Sequence, residues 1–299
     1  MANGFYNRMT VLHSRRRALA FVAIAAILLL SVVSCWLPWV RFKRNPKLRL
    51  LKSERGEIMG DGYTLFCPVW TPDGACIYYL RCQGVINYYY NLGSLWRIRT
   101  DGSEATEVLN DSFHLLRISP DGRRLALLAK AGHLVILKLP EISAESIFTS
   151  VHHIVDVRFS RVHSERLYFS SEDSGLYRIN IDGNEEVLVD TAVKRYFDLT
   201  SSDSVVSGYS SLAVYPSDRY VAITQLAERT GFPQDIILFD TQTRDSTYQR
   251  AYPYYFSSEW FPCWSPDGSK LVFTAAEIRT SAHCAPHEGE LWVLEDVFQ

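Results

Sequence analysis

The sequence predicts an all-β fold, a β-propeller of five visible four-stranded repeats behind an N-terminal apolar helix. Three observations predict it: a Pro-Asp-Gly hairpin that recurs along the chain, period-two apolar alternation after each copy, and no amphipathic helical pattern between the strands. A load of 17 Tyr, 15 Phe and 7 Trp in 299 residues suits half-buried sheet surfaces.

The hairpin is the repeating element. Close copies start at Val69 (VWTPDGACIYYL), Arg117 (RISPDGRRLALL) and Cys263 (CWSPDGSKLVFT), and degenerate ones at Val157 (VRFSRVHSERLYFS) and Ala213 (AVYPSDRYVAIT). Pro72, Pro120, Pro216 and Pro266 are spaced 48, 96 and 50 apart, and the third copy falls inside the double interval. In each copy an apolar strand runs into a turn where Pro presets φ, Asp bonds its own backbone and Gly accepts a positive φ. Asp73, Asp121 and Asp267 are turn residues on this reading and need no further role. A second strand follows with alternating apolar positions, as in Leu125/Leu127 and Leu271/Phe273.

Third strands read SLWRIR, HLVILKL, GLYRINI, DIILFD and ELWVLE. Asp101-Gly102 and Asp182-Gly183 then turn the chain into fourth strands, TEVLN and EEVLVD. Four antiparallel strands in about 45–50 residues, repeated radially, make a propeller, because a lone sheet of this size cannot bury both faces. The count is five or six blades, since residues 190–211 leave room for a degenerate extra one. The last copy has no fourth strand of its own, so Leu48 to Lys52 (LRLLK) is expected to join the final sheet and remove its free edge.

This hairpin, with its following apolar strand and L-W/Y-x-I/V-x-x-D-G segment, resembles the TolB-type (WD40-like) propeller repeat. The same repeat occurs in the propellers of the prolyl oligopeptidase and dipeptidyl peptidase families. The resemblance covers residues of about 60–299. It implies a propeller, usually of six blades, and implies no particular activity.

The first 45 residues differ in kind. Arg15 to Arg17 precede an apolar run from Ala18 to Val40, long enough at ~1.5 Å per residue to span a ~30 Å hydrocarbon core. Trp36 and Trp39 suit an uncleaved helix as interfacial anchors. The alternative is a lipoprotein signal, in which Val32-Val33-Ser34-Cys35 supplies the lipidated Cys35, with the bulky Trp36 an awkward neighbour. Residues 1–45 are therefore a membrane anchor or lipoprotein signal, and 46–299 the propeller. Basic residues Arg41, Lys43, Arg44, Lys47 and Arg49 favour a cytoplasmic propeller for an uncleaved helix. A cleaved lipoprotein faces outward, and the outer (periplasmic or extracellular) side is the expectation adopted. Disulfide pairing stays open: apart from Cys35, the five cysteines Cys67, Cys76, Cys82, Cys263 and Cys284 allow at most two bridges, and no CxxC pair is present.

In such a fold the tight turns share one face and the long loops the other. The loops at 81–94, 194–203, 249–261 and 275–290 are rich in aromatics, and variable loops on a rigid scaffold carry binding groups. The expected binding residues are Arg81, Tyr88, Tyr89, Tyr90, Tyr254, Tyr255 and Trp260, with inter-blade packing as the competing role for each aromatic. The expected ligand is a protein, peptide or glycan. Net charge of −2 and scattered basic residues give no nucleic-acid surface.

The enzymatic alternative is a metal-dependent polysaccharide lyase or hydrolase. His114, His152 and His153 precede innermost strands, and His283, Cys284, His287 and Glu288 have metal-ligand chemistry. Propellers of the oligogalacturonate lyase kind, which resemble this repeat, hold a metal-binding His cluster, but no ligand pattern transfers residue by residue. Gly208-Tyr209-Ser210-Ser211-Leu212 lacks the closing Gly of a nucleophile elbow, no hydrolase segment follows the repeats, and no phosphate-binding Gly loop is present. The expectation is a non-catalytic module without metal or cofactor.

Overall fold

The computed structural model describes residues 46–57, 60–85, 91–130, 132–149, 154–160, 163, 165–171, 175–190, 212–214, 220–226, 233–240, 246–248, 257–277 and 288–298. Among them the regular elements are all strands. A short β1 (Leu48–Lys52) is followed by β2 (Tyr63–Trp70), β3 (Cys76–Gln83), β4 (Gly93–Arg99) and the long β5 (Thr106–Ile118). Then come β6 (Arg124–Ala129), β7 (His133–Lys138) and β8 (Ser143–Thr149). The third unit holds β9 (Ile154–Phe159), β10 (Arg166–Ser171), β11 (Gly175–Asn180) and β12 (Val187–Asp190). The fourth holds β13 (Leu212–Val214), β14 (Tyr220–Leu226), β15 (Pro233–Asp240) and β16 (Ser246–Tyr248). Last are β17 (Ser257–Trp264), β18 (Leu271–Glu277) and β19 (Glu290–Leu294).

Every pairing is antiparallel between sequence neighbours, apart from the one that joins the two ends. There β1 lies against β19, Leu48 opposite Leu294 and Leu50 opposite Trp292, so LRLLK completes the last sheet as its pattern predicts. The β2–β8 sheet is two units sharing one strand: β5 pairs with β4 through Phe113 and with β6 from Phe113 onward. The sequence pattern ends one strand at TEVLN and puts His114 just before a separate innermost strand that ends at Ile118. The chain bends through both without breaking. The fourth strands β8 (SAESIFT) and β16 (STY) have no Gly-marked turn before them and were not anticipated.

Innermost strands of successive units touch in a row, β9 against β5, β5 against β2, β2 against β17 and β17 against β13. Between them lies the core, fully buried at Leu65, Leu80, Leu95, Leu116, Leu127 and Phe273. Its burial follows the alternation read from the sequence.

The Pro-Asp-Gly hairpins are built alike. Gly74, Gly122 and Gly268 sit at φ of +67°, +68° and +72°, and donate N–H to Thr71, Ser119 and Ser265 at 2.9 Å each. A feature the sequence reading passed over is the hydroxyl before each Pro. Thr71, Ser119 and Ser265 donate to Asp73, Asp121 and Asp267 at 2.5, 2.7 and 2.6 Å. The same hydroxyls accept the N–H of Cys76, Arg124 and Lys270 at 3.0, 2.9 and 2.9 Å. Hydrogen bonds from these hydroxyls and from backbone N–H groups hold the Asp73 and Asp267 carboxyls below the usual carboxylate range.

Two innermost strands carry matching irregularities. Cys67-Pro68 and Phe261-Pro262 fall where register slips, and Cys67 and Phe261 adopt φ of 51° and 53°. Pro cannot donate to a ladder, so a bulge is the place where a strand accommodates one.

Candidate functional site

The loop end of the first unit is organised around Arg81. Its Nε donates to Glu54 at 2.5 Å, and its guanidinium carbon lies 3.4 Å from the Tyr63 ring centre and 4.7 Å from that of Trp96. The cation is thus held by a carboxylate at Nε and by two aromatic rings. Arg81, expected as a ligand contact, stands near the end of β3 with Glu54, Tyr63 and Trp96 around it. Nearby, Gly84 N–H donates to Gly62 at 2.9 Å and its carbonyl accepts from Thr64 Oγ1 at 2.6 Å. Trp260 is 1% exposed, so its indole belongs to the interior and not to an outer binding surface. Tyr88, Tyr89, Tyr90, Tyr254 and Tyr255 lie outside the described residues, as do Cys35 and the Ala18–Val40 run. Among the described residues no helix is long and apolar enough to cross a membrane.

The segment 53–62 closes that end over long sequence distances. Ser53 Oγ donates to Glu290 at 2.5 Å, Arg55 pairs with Glu277 at 2.9 Å, and the N–H groups of Gly60 and Gly62 donate to Glu288 Oε1 at 2.6 and 3.2 Å. Glu288 is fully buried. The sequence counted it among metal-ligand types, and here its carboxylate receives backbone donors. His114 is half-buried on β5, while His152, His153, His283, Cys284 and His287 lie outside the described residues. Among the described residues no cluster of three or more His, Cys, Asp or Glu could hold a metal ion.

A second arrangement sits where innermost strands meet. Asp156 on β9 accepts from Arg117 Nη2 of β5 at 2.8 Å and from Arg158 Nε at 3.1 Å. Burial alone would raise the Asp156 carboxyl, but the two guanidiniums outweigh it and hold the group below its ordinary value. Burial lowers Arg158 despite Asp156, with Arg117 adding like-charge repulsion. Cys67 lies beside Arg117, and burial pushes its thiol up to about 11. Burial also raises Cys263, which feels both guanidiniums. Cys82 is pushed up to about 12 by burial. The described cysteines, Cys67, Cys76, Cys82 and Cys263, are all free thiols. Sequence reasoning missed this cluster; an Arg or Asp at alternate positions of an otherwise apolar inner strand (LLRI, IVDVRF) was the available signal.

A third feature is a cleft of about 660 Å³ between the second and third units, lined by Glu145, His163, Glu165, Arg166 and Asp182 among others. Two of the lining carboxylates are held by Arg124, which bonds Glu145 at 2.7 and 3.0 Å and Glu165 at 3.1 Å, and Ser146 Oγ donates to the Ile181 carbonyl. Beside it the outer strands expose Ile147, Val187 and Leu188.

Antiparallel units whose innermost strands touch in a row, the last sheet completed by the first strand, are similar to a solved structure described as the crystal structure of RRP9 WD40 repeats. The TM-score is 0.54 at 12% identity, over 84% of this chain and 98% of that one. The fold is that of a β-propeller. No family model and no curated protein matches the sequence. At this identity the propeller likeness concerns architecture alone.

Proposed function

We propose that the chain is a membrane-tethered propeller of five blades acting as a non-catalytic binding scaffold of the cell envelope, its ligand a protein held on the loop end. The observation that carries the reading is the braced loop end of the first unit. Arg81 is held by Glu54, Tyr63 and Trp96, and Thr64 and Gly62 bond Gly84, so the residues that precede Tyr88, Tyr89 and Tyr90 in the sequence are fixed. Rigid roots lower the ordering cost of a recognition loop. The five-blade count is supported by five sets of strands among the described residues, β2–β5, β5–β8, β9–β12, β13–β16 and β17–β19 with β1. The exposed Ile147, Val187 and Leu188 on outer strands add apolar area suited to a protein partner. A TolB-type assignment, an outward-facing domain and a peptide or glycan ligand are finer readings that rest on the sequence pattern.

Replacing Tyr88, Tyr89 and Tyr90 together by Ala tests it. Pull-down from detergent-solubilised membranes should lose the partner recovered with wild type while the circular dichroism and thermal midpoint stay put. Retained capture would sink the loop-end assignment. The mass of the membrane-extracted chain tests the tether: a lipidated species starting at Cys35 assigns a lipoprotein, a full-length chain assigns the spanning helix, and a cleaved chain without lipid removes the tether.

A further inference from the structure

The geometry points to a small oxyanion site, for a carboxylate or phosphate group, formed by Arg158 and Arg117 where the innermost strands β9 and β5 meet. Two guanidiniums share one carboxylate: Asp156 Oδ1 takes Arg117 Nη2 and Oδ2 takes Arg158 Nε. One positive charge is therefore in excess. Among the described residues no carboxylate other than Asp156 pairs with either arginine; Arg117 Nη1 donates to the Leu116 carbonyl at 2.9 Å, and the Cys67 thiol beside Arg117 is neutral.

Donors remain on both side chains. Arg117 Nε is buried without a hydrogen-bond partner, and the Nη groups of Arg158 make no hydrogen bond to a described residue. The Arg117 side chain is 14% exposed and that of Arg158 39%, so one donor is set deep and the others are reachable by solvent. The neighbouring thiols of Cys67 and Cys263 do not compensate the charge, because burial keeps them protonated. An uncompensated charge next to an unsatisfied buried donor is costly, and truncating or completing such a set changes stability strongly. A guanidinium fork fits the paired oxygens of a carboxylate or phosphate. β9 is the end strand of its sheet, so an incoming group meets no further strand of that unit. The inference concerns the axis of the fold and does not depend on the loop-end reading.

Equilibrium dialysis of the detergent-solubilised full chain against labelled inorganic phosphate, and separately labelled acetate, tests it at constant ionic strength with chloride as the background anion. Saturable binding of about one anion per chain is expected, and whichever probe binds identifies phosphate or carboxylate as the group recognised. Arg158→Gln removes the fork and should weaken that binding by about tenfold to a hundredfold, the loss of one charge-assisted hydrogen bond. Arg158→Lys keeps the charge without the fork and should fall between. Neither probe binding saturably up to about 10 mM, or equal binding to wild type and both variants, overturns the site.

Discussion

The repeated hairpins and the seams between units hold the molecule together by opposite means. In a hairpin the contacts that shape the turn are local: Thr71 to Asp73 spans two residues, and Cys76 to Thr71 spans five. At the seams, Arg117 reaches Asp156 across 39 residues, Arg55 reaches Glu277 across 222, and Gly60 reaches Glu288 across 228. Local contacts repeat because any unit can make them alone. Seam contacts are single, because each joins two particular units. A hairpin is thus replaceable by its copies in a way that a seam is not, and mutations should sort accordingly.

The largest effect is expected at Asp156. Asp156→Ala leaves Arg117 and Arg158 facing each other without the carboxylate both bond, a loss of about 3–5 kcal/mol in urea unfolding of the solubilised chain. The effect should depend on pH. Because the native carboxyl is held below its ordinary value, its contribution is present above the unfolded value of about 3.9 and vanishes as pH falls through the depressed native one. Wild type and variant should therefore converge in acid. A gap that persists below that range would mean the seam is held by packing and not by the ion pairs.

Glu288 tests the other seam with a smaller expected effect. Glu288→Ala strips the acceptor from the N–H groups of Gly60 and Gly62, at a cost of about 2–3 kcal/mol. The loss should surface first as faster amide exchange of residues 60–64, while the hairpin amides of Gly122 and Gly268 stay protected. Uniform loss of protection would show that the segment 53–62 is not a separable clasp.

The same contrast explains what could be read from the sequence. Turn residues and alternating apolar positions act within a few residues, so the strands after Pro72, Pro120 and Pro266 and the closing role of Leu48 to Lys52 were legible. The bulges at Cys67 and Phe261 were foreshadowed only by Pro68 and Pro262 inside apolar strands. Strands β8 and β16 lack a Gly-marked turn and are defined by their partners β7 and β15. At the candidate sites the aromatic content of the loops pointed to Arg81 and Trp260 as contacts, yet composition does not encode whether a side chain turns outward. Arg81 is held by Glu54, from a segment that reads as plain linker, and Trp260 by the burial of β17. The Arg117–Asp156–Arg158 set joins two units and had no local signature beyond charges in apolar strands.

Within the hairpins a finer comparison remains, because their glycines share a conformation but not a neighbourhood. A Cβ on Gly122 would lie 1.9 Å from Pro72 Cγ of the preceding unit, whereas one on Gly74 meets nothing nearer than Pro266 Cδ at 4.0 Å. Both positions hold nearly the same φ, +68° and +67°, so an Ala at either should lose a similar amount, about 1–2 kcal/mol, to the left-handed backbone. Gly122→Ala should add about 1–2 kcal/mol for overpacking against a proline ring that cannot rotate away. Thermal midpoints of the two variants check the difference. If they fall together, the backbone alone sets the cost and the hairpins act as independent local devices. If Gly122→Ala falls further, the turn of one unit bears on the next, and even the most local element of the repeat takes part in a seam.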